Sequence, residues 1–99
     1  HDALPISLTA DEIVNKIRAY NPSPIAFTPY KGETLNVYKA HKGDLTGKCG
    51  EILSASKSLV IGCKNGSVSL DVLQKSGGKA LEIKQFLCGY HFNVGEFLG

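Results

Sequence analysis

The side chains in this chain best suited to chemistry are few and far apart. The cysteines are Cys49, Cys63 and Cys88, and the histidines are His1, His41 and His91. A structural zinc site needs four ligands, normally in short paired spacings. Here the cysteine count is odd and no Cys-x-x-Cys occurs. The pattern reads as reduced thiols of an intracellular protein rather than a disulfide framework. Cys49 with His41 or His91 would make a nucleophile and base only if the fold brought them together, and nothing local predicts that. Gly62-Cys63-Lys64-Asn65-Gly66 has a superficial likeness to a phosphate loop, but it lacks the Gly-Lys-Ser/Thr ending and joins two strand-like runs. The adjacent acids Asp11 and Glu12 suit a helix N-terminus better than a metal.

Charge offers more. The net charge is +2, and residues 31–84 hold nine lysines against Glu33, Asp44, Glu51, Asp71 and Glu82. A basic middle suits a phosphate-bearing partner and equally suits plain solubility. The loop Gln74-Lys75-Ser76-Gly77-Gly78-Lys79 combines glycines, which let backbone N–H groups turn toward an anion, with flanking lysines. The alternative is a solvated loop before a helix. The eight aromatic residues are expected mostly in the core, with one or two rings left to stack on bases.

These groups need elements to hold them. Ninety-nine residues make one small domain, and 42% hydrophobic with 20% charged residues is a globular profile. No apolar run approaches the roughly 18–20 residues of a membrane span. The start, His1 to Leu8, lacks the basic and apolar regions of a signal peptide and reads as the tail of a linker in a fragment.

Thr9-Ala10-Asp11-Glu12 is a capping-box signature. The predicted helix behind it carries Ile13, Ile17 and Tyr20 with Val14 on one apolar stripe, and Asn21-Pro22 ends it. Pro24 keeps the chain extended. Strands are predicted over residues 25–30, 34–40, 50–55, 59–63 and 67–73. Val68, Leu70 and Val72 of the last face in, and Ser67, Ser69 and Asp71 face out. Lys31-Gly32-Glu33 and Lys64-Asn65-Gly66 are turns. A short helix over residues 82–88 follows, with Ile83, Phe86 and Leu87 inward and Gly89 as its stop. The expected fold is mostly β: a small OB-like Greek-key β-barrel with an N-terminal helix and a short C-terminal helix. Pattern alone leaves a two-layer α+β sandwich open.

Several segments, in order, resemble the C-terminal domain of the methionyl-tRNA formyltransferase family. Ile17-Arg18-Ala19-Tyr20-Asn21-Pro22-Ser23-Pro24 with Ala26-Phe27-Thr28 is similar to the family's Ile-Arg-Ala-aromatic-Asn-Pro-Trp-Pro stretch. Residues 32–40, 47–53, Leu73-Gln74 with Gly77 and Lys79, and the ending from Phe86-Leu87-Cys88-Gly89 to Leu98-Gly99 resemble later family motifs. Ser23 stands where the family usually has Trp. Leu4-Pro5-Ile6 replaces an Ile-Asp-Trp segment, and Lys75 and Gly78 replace the commoner Pro and Lys.

The resemblance implies that residues 1–99 form one tRNA-gripping domain, with residues 1–8 a residual linker. It implies an N-terminal Rossmann-like catalytic domain elsewhere, which binds 10-formyltetrahydrofolate and formylates the methionine on initiator tRNA. On that reading this chain alone holds no catalytic residue, cofactor or metal and turns nothing over. It acts in the cytoplasm as a monomer, with initiator tRNA and the catalytic domain as partners and no membrane. Lys39, Lys42, Lys48, Lys75 and Lys79 are the expected RNA contacts, Lys79 foremost because it sits on a family motif. Two other readings stay open. One is the C-terminal domain of a related sugar-nucleotide formyltransferase with a structural or oligomerisation role. The other is an unrelated ligand- or protein-binding barrel.

Overall fold

The computed structural model describes residues 2–20 and 26–98. The element order is β1 (Asp2–Ala3), α1 (Ala10–Tyr20), β2 (Ala26–Tyr30), β3 (Glu33–Lys42), β4 (Ile52–Ser54), β5 (Leu59–Cys63), β6 (Gly66–Lys75), β7 (Leu81–Glu82) and α2 (Ile83–Gly89). Among the described residues these strands form one sheet in the order β1-β2-β3-β6-β5-β4, with β7 also on β6. Strands β4, β5 and β6 follow one another, and β3 lies beside β6, which is the Greek-key arrangement. The fold is therefore mostly β with two helices, as the alternating runs predict.

The far edge of the sheet is covered by the chain's own end. The Ile52 N–H donates to the Glu96 carbonyl at 2.8 Å, and the Leu98 N–H donates to the Gly50 carbonyl at 2.8 Å. The Tyr30 hydroxyl, at the end of β2, donates to Glu96 Oε1 at 2.7 Å and accepts from the Asn93 N–H at 3.1 Å. The C-terminal segment thus ties β4 to β2.

The capping box forms. Glu12 Oε1 accepts from the Thr9 N–H at 3.0 Å, and the Glu12 N–H donates to Thr9 Oγ1 at 3.3 Å. Ile13 and Ile17 are buried in the core and Val14 packs against its edge. The predicted helix stop at Asn21-Pro22 and the extended Pro24 lie outside the described residues.

The core is lined from β2, β3, β5 and β6, with Leu35, Val37, Leu59, Ile61, Val68, Leu70 and Leu73 all fully buried or nearly so. The alternation predicted for β6 breaks partway. Val68 and Leu70 face the core, but so does Leu73, whereas Val72 is only half-buried. Opposite, Val37 pairs with Leu73, Lys39 with Val72 and Ala40 with Leu70. Each strand therefore skips one residue, Tyr38 in β3 and Asp71 in β6. A single extra residue exchanges the two faces of a strand. The paired bulges do so in both strands at once, so the two stay in step.

Ser67 and Ser69, expected outward, are also buried. The loop after β3 covers Ser67: the Gly43 N–H donates to its carbonyl at 2.9 Å, and the Leu45 N–H donates to its Oγ at 3.2 Å.

Two further expectations are corrected. The stretch read as linker packs onto the domain: Asp2–Ala3 pairs in parallel with β2, and Leu4 is buried. Gly89 does not stop α2 with a left-handed turn. It is the last helical residue, and Tyr90 leaves the helix in an extended conformation. Burial of Phe92 against Tyr30, with ring centroids 4.9 Å apart, draws the chain away instead. The predicted hairpin at Lys64-Asn65-Gly66 joins β5 and β6, with Asn65 at a positive φ of 58° and Gly66 paired with Cys63. The β2–β3 hairpin turns on Lys31 and Gly32, with φ of 49° and 82°, the pair of positive values that a two-residue hairpin turn favours.

Candidate nucleic-acid interface

Among the described residues no cysteine is hydrogen-bonded to a histidine. His41 sits near the end of β3, where its Nδ1 lies 2.7 and 2.8 Å from the two oxygens of Asp71. The bulge residue Asp71 thereby orients an imidazole. Cys63 is buried, and burial pushes its thiol up, away from the nucleophilic thiolate. Cys88 Sγ donates to the Lys84 carbonyl within α2. No group of three or more His, Cys, Asp or Glu able to hold a metal occurs among the described residues. No described helix is long and apolar enough to cross a membrane.

The five lysines singled out from the sequence are all exposed, and the fold distributes them. Lys75, at the end of β6, and Lys79, just after the turn that follows, line one groove together with Gln85 and Tyr90. Lys39 lines a second groove, where α1 meets β3, beside Arg18 and Tyr38. Lys42 lines a third, wider depression with Lys57, Lys84 and His41. Lys48 lies on the loop that crosses β5 and lines none of these three.

Sequence reasoning missed Arg18, Lys57 and Lys84 as members of this surface. Arg18 stood within a family-like motif. Lys57 and Lys84 carried no local signal, since only the sheet brings the β4–β5 loop and α2 together.

The glycine-containing turn is held from beneath. Gln74 Oε1 accepts from Asn36 Nδ2 at 3.1 Å and from the Tyr38 hydroxyl at 3.0 Å. Gln74 Nε2 donates to the Gly78 carbonyl at 2.9 Å. One amide therefore joins β3, β6 and the turn. Gly77 has φ of 79°, and the Gly78 N–H donates to the Lys75 carbonyl at 2.9 Å. That N–H serves the turn itself, so an anion would meet the lysine side chains here rather than a cradle of backbone donors.

The electrostatics follow from where the acids are engaged. Glu12 caps α1, Asp71 holds His41, Glu51 accepts from the Lys48 N–H, and Glu96 accepts from Tyr30 and Asn93. The hydrogen bond from Tyr30, then that from Asn93, holds the Glu96 carboxyl below its ordinary value. Among the described residues Lys31, 3.6 Å from Glu96, is the lysine with a carboxylate partner. Among the described residues Lys39, Lys42, Lys48, Lys75 and Lys79 have none within ion-pair distance. Unpaired lysine is what a polyphosphate partner engages. Around Tyr90, burial and then the Glu33 carboxylate push the hydroxyl up, keeping it a neutral donor.

The family model of the formyl transferase C-terminal domain matches residues 5–91. The chain belongs to that family. Among relatives of this formyl transferase domain, the methionyl-tRNA formyltransferase of Methylobacillus flagellatus is 38% identical over 90 residues, covering 91% of this chain and 29% of the relative. That of Neisseria meningitidis serogroup B is 36% identical over 93 residues, covering 93% of this chain and 30% of the relative. The formyl transferase domain described here thus spans under a third of the length of such relatives. Among solved structures, HypX from Aquifex aeolicus in complex with tetrahydrofolic acid matches 96% of this chain and 19% of its own, with a TM-score of 0.68 at 19% identity. That likeness is one of fold. The turn carrying Gln74, Gly77 and Lys79, where the sequence resembles a formyltransferase motif, is also the turn that the Gln74 amide fixes.

Proposed function

We propose that this chain is the tRNA-gripping domain of a methionyl-tRNA formyltransferase, placing the aminoacyl end of initiator tRNA before a separate catalytic domain. The observation that carries the reading is the exposed lysine surface on a fold of this family: Glu12, Asp71, Glu51 and Glu96 are engaged in hydrogen bonds, and among the described residues the five lysines have no carboxylate within ion-pair distance. RNA is held mainly through its phosphates, and folded RNA is distinguished by shape more than by base edges. On this proposal the chemistry belongs to the Rossmann-like domain, which holds 10-formyltetrahydrofolate, and the present residues supply affinity and orientation.

Titration of the chain against initiator tRNA and a DNA duplex of similar charge, at low and moderate salt, tests the proposal. Preference for tRNA, with log affinity falling against log salt at a slope of roughly −3 to −4 for about four phosphate contacts, supports it. Absence of tRNA binding at low salt would overturn it and favour a structural role, as in the sugar-nucleotide alternative.

A further inference from the structure

The groove between the turn after β6 and helix α2 combines two kinds of chemistry. Its volume is about 130 Å³, below the roughly 300–1,000 Å³ of pockets that enclose whole small molecules. That volume suits a group the size of a single ring rather than a whole small molecule. Its lining is predominantly apolar, with Leu81, the buried Phe86 and the half-buried Tyr90. The Phe86 and Tyr90 rings are 5.1 Å apart, and Tyr90 is braced from behind by Phe92 at 5.0 Å. Tyr90 is therefore a fixed ring at a surface groove.

Lys75 and Lys79 flank that apolar lining, and no acidic residue lines the groove. The Tyr90 hydroxyl and the Gln85 amide make no hydrogen bond to another described residue, so both are available to a ligand. A flat ring slot with two unpaired cations and two free polar groups is complementary to an aromatic ring that carries an adjacent anion.

We propose that this groove captures one unpaired nucleotide of an RNA, its base against Tyr90 and Phe86 and its phosphates on Lys75 and Lys79. The proposal rests on the RNA-gripping reading above and adds a site to it. Paired bases in an A-form helix are closed to such a slot, whereas unpaired bases splay out and stack on aromatic side chains. The site therefore adds recognition of an unpaired position to a grip that otherwise senses only backbone charge and shape. Gln74 serves as a positioning residue, because its amide holds the Gly78 carbonyl and with it the span between the two lysines.

Three RNA probes separate the outcomes: a labelled five-nucleotide single strand, the same backbone with every base removed, and a blunt 12-base-pair duplex. The chain is expected to bind the intact strand about tenfold more tightly than the abasic one, the scale of base–aromatic stacking. Tyr90→Leu keeps an apolar side chain and removes the ring. Gly89→Leu projects into the groove from a position where an added β-carbon meets nothing within 4 Å. Each is expected to bring the two strands level and leave duplex affinity unchanged. If Tyr90→Leu does not fold, Gly89→Leu decides alone. Lys75→Ala with Lys79→Ala weakens binding of both strands. Equal binding of the two strands by the unaltered chain, or discrimination that survives Gly89→Leu, overturns the nucleotide site. Duplex binding without discrimination overturns the site alone, while failure of all three probes overturns the RNA grip with it.

Discussion

At Gly62 the chain has no room for a side chain. A β-carbon there would overlap the Lys48 carbonyl, because the loop after β3 lies directly on β5. The Gly62 N–H and carbonyl bond Glu51 and Gly50 on the same segment at 2.9 and 2.8 Å, so backbone contact is close on both sides. Gly62→Ala is expected to lower stability by about 1–3 kcal/mol, the usual cost of overpacking, measured by urea denaturation. Tyr30 is the other residue on which much converges. Tyr30→Phe removes the hydroxyl that joins Glu96 to the Asn93 N–H, at an expected cost of about 1 kcal/mol. Glu96 has a lowered value in the folded state, so its contribution is present above the unfolded glutamate value and is lost as pH falls through the folded one. In Tyr30→Phe the Glu96 titration, followed by carboxyl NMR, is expected to move up toward the ordinary value. An unmoved titration would show that Tyr30 does not set it.

The helix and the paired strands show the same economy at the level of elements. Helix α1 has only Ala10, Ile13 and Ile17 buried among its described side chains to hold it on the sheet, so its cap matters. Thr9→Ala is expected to cost about 1 kcal/mol in thermal or urea unfolding. The hydrogen bonds from the Thr9 N–H and hydroxyl are the largest causes of the lowered Glu12 value, so the cap too weakens below the ordinary glutamate range. Strands β3 and β6 share the bulge at Tyr38 and Asp71, and this irregularity serves the surface. It turns Lys39 out opposite Val72 and leaves Asp71 to hold His41. The Tyr38 hydroxyl meets Gln74 across the same strand pair.

Across the whole molecule the lysines act as a dispersed set. Lys39 sits near α1, Lys42 on the far end of β3, Lys75 and Lys79 beside α2, and Lys48 on the loop over β5. Flexible point charges on separate grooves add roughly independently. Replacing Lys39, Lys42, Lys75 and Lys79 together with alanine is expected to weaken tRNA binding and flatten its salt slope by roughly 3 to 4, close to one unit per lost phosphate contact, as measured by filter binding. Unchanged affinity would remove these four lysines from the interface.

The order of the strands' apolar runs, the Thr9–Glu12 cap, the Lys31-Gly32 and Lys64-Asn65 turns and the family-like motifs were all legible in the linear chain. Each depends on residues within a few positions of one another, and local sterics or hydrogen bonding settle such features. The sequence also determined that cations outnumber acids in the middle of the chain. Contacts between residues distant in sequence settled the rest. The exchange of inner and outer faces in β6 came from a bulge pair that only the β3–β6 register defines. The burial of Ser67 came from a loop some twenty residues earlier, and the anchoring of Leu4 came from pairing with β2. The aromatic slot beside Lys75 and Lys79 exists because Phe92 and Tyr30 draw the chain back after α2. Which lysines share a groove is likewise a matter of sheet curvature and loop docking, set by long-range burial of apolar surface, and such burial leaves no local pattern to read.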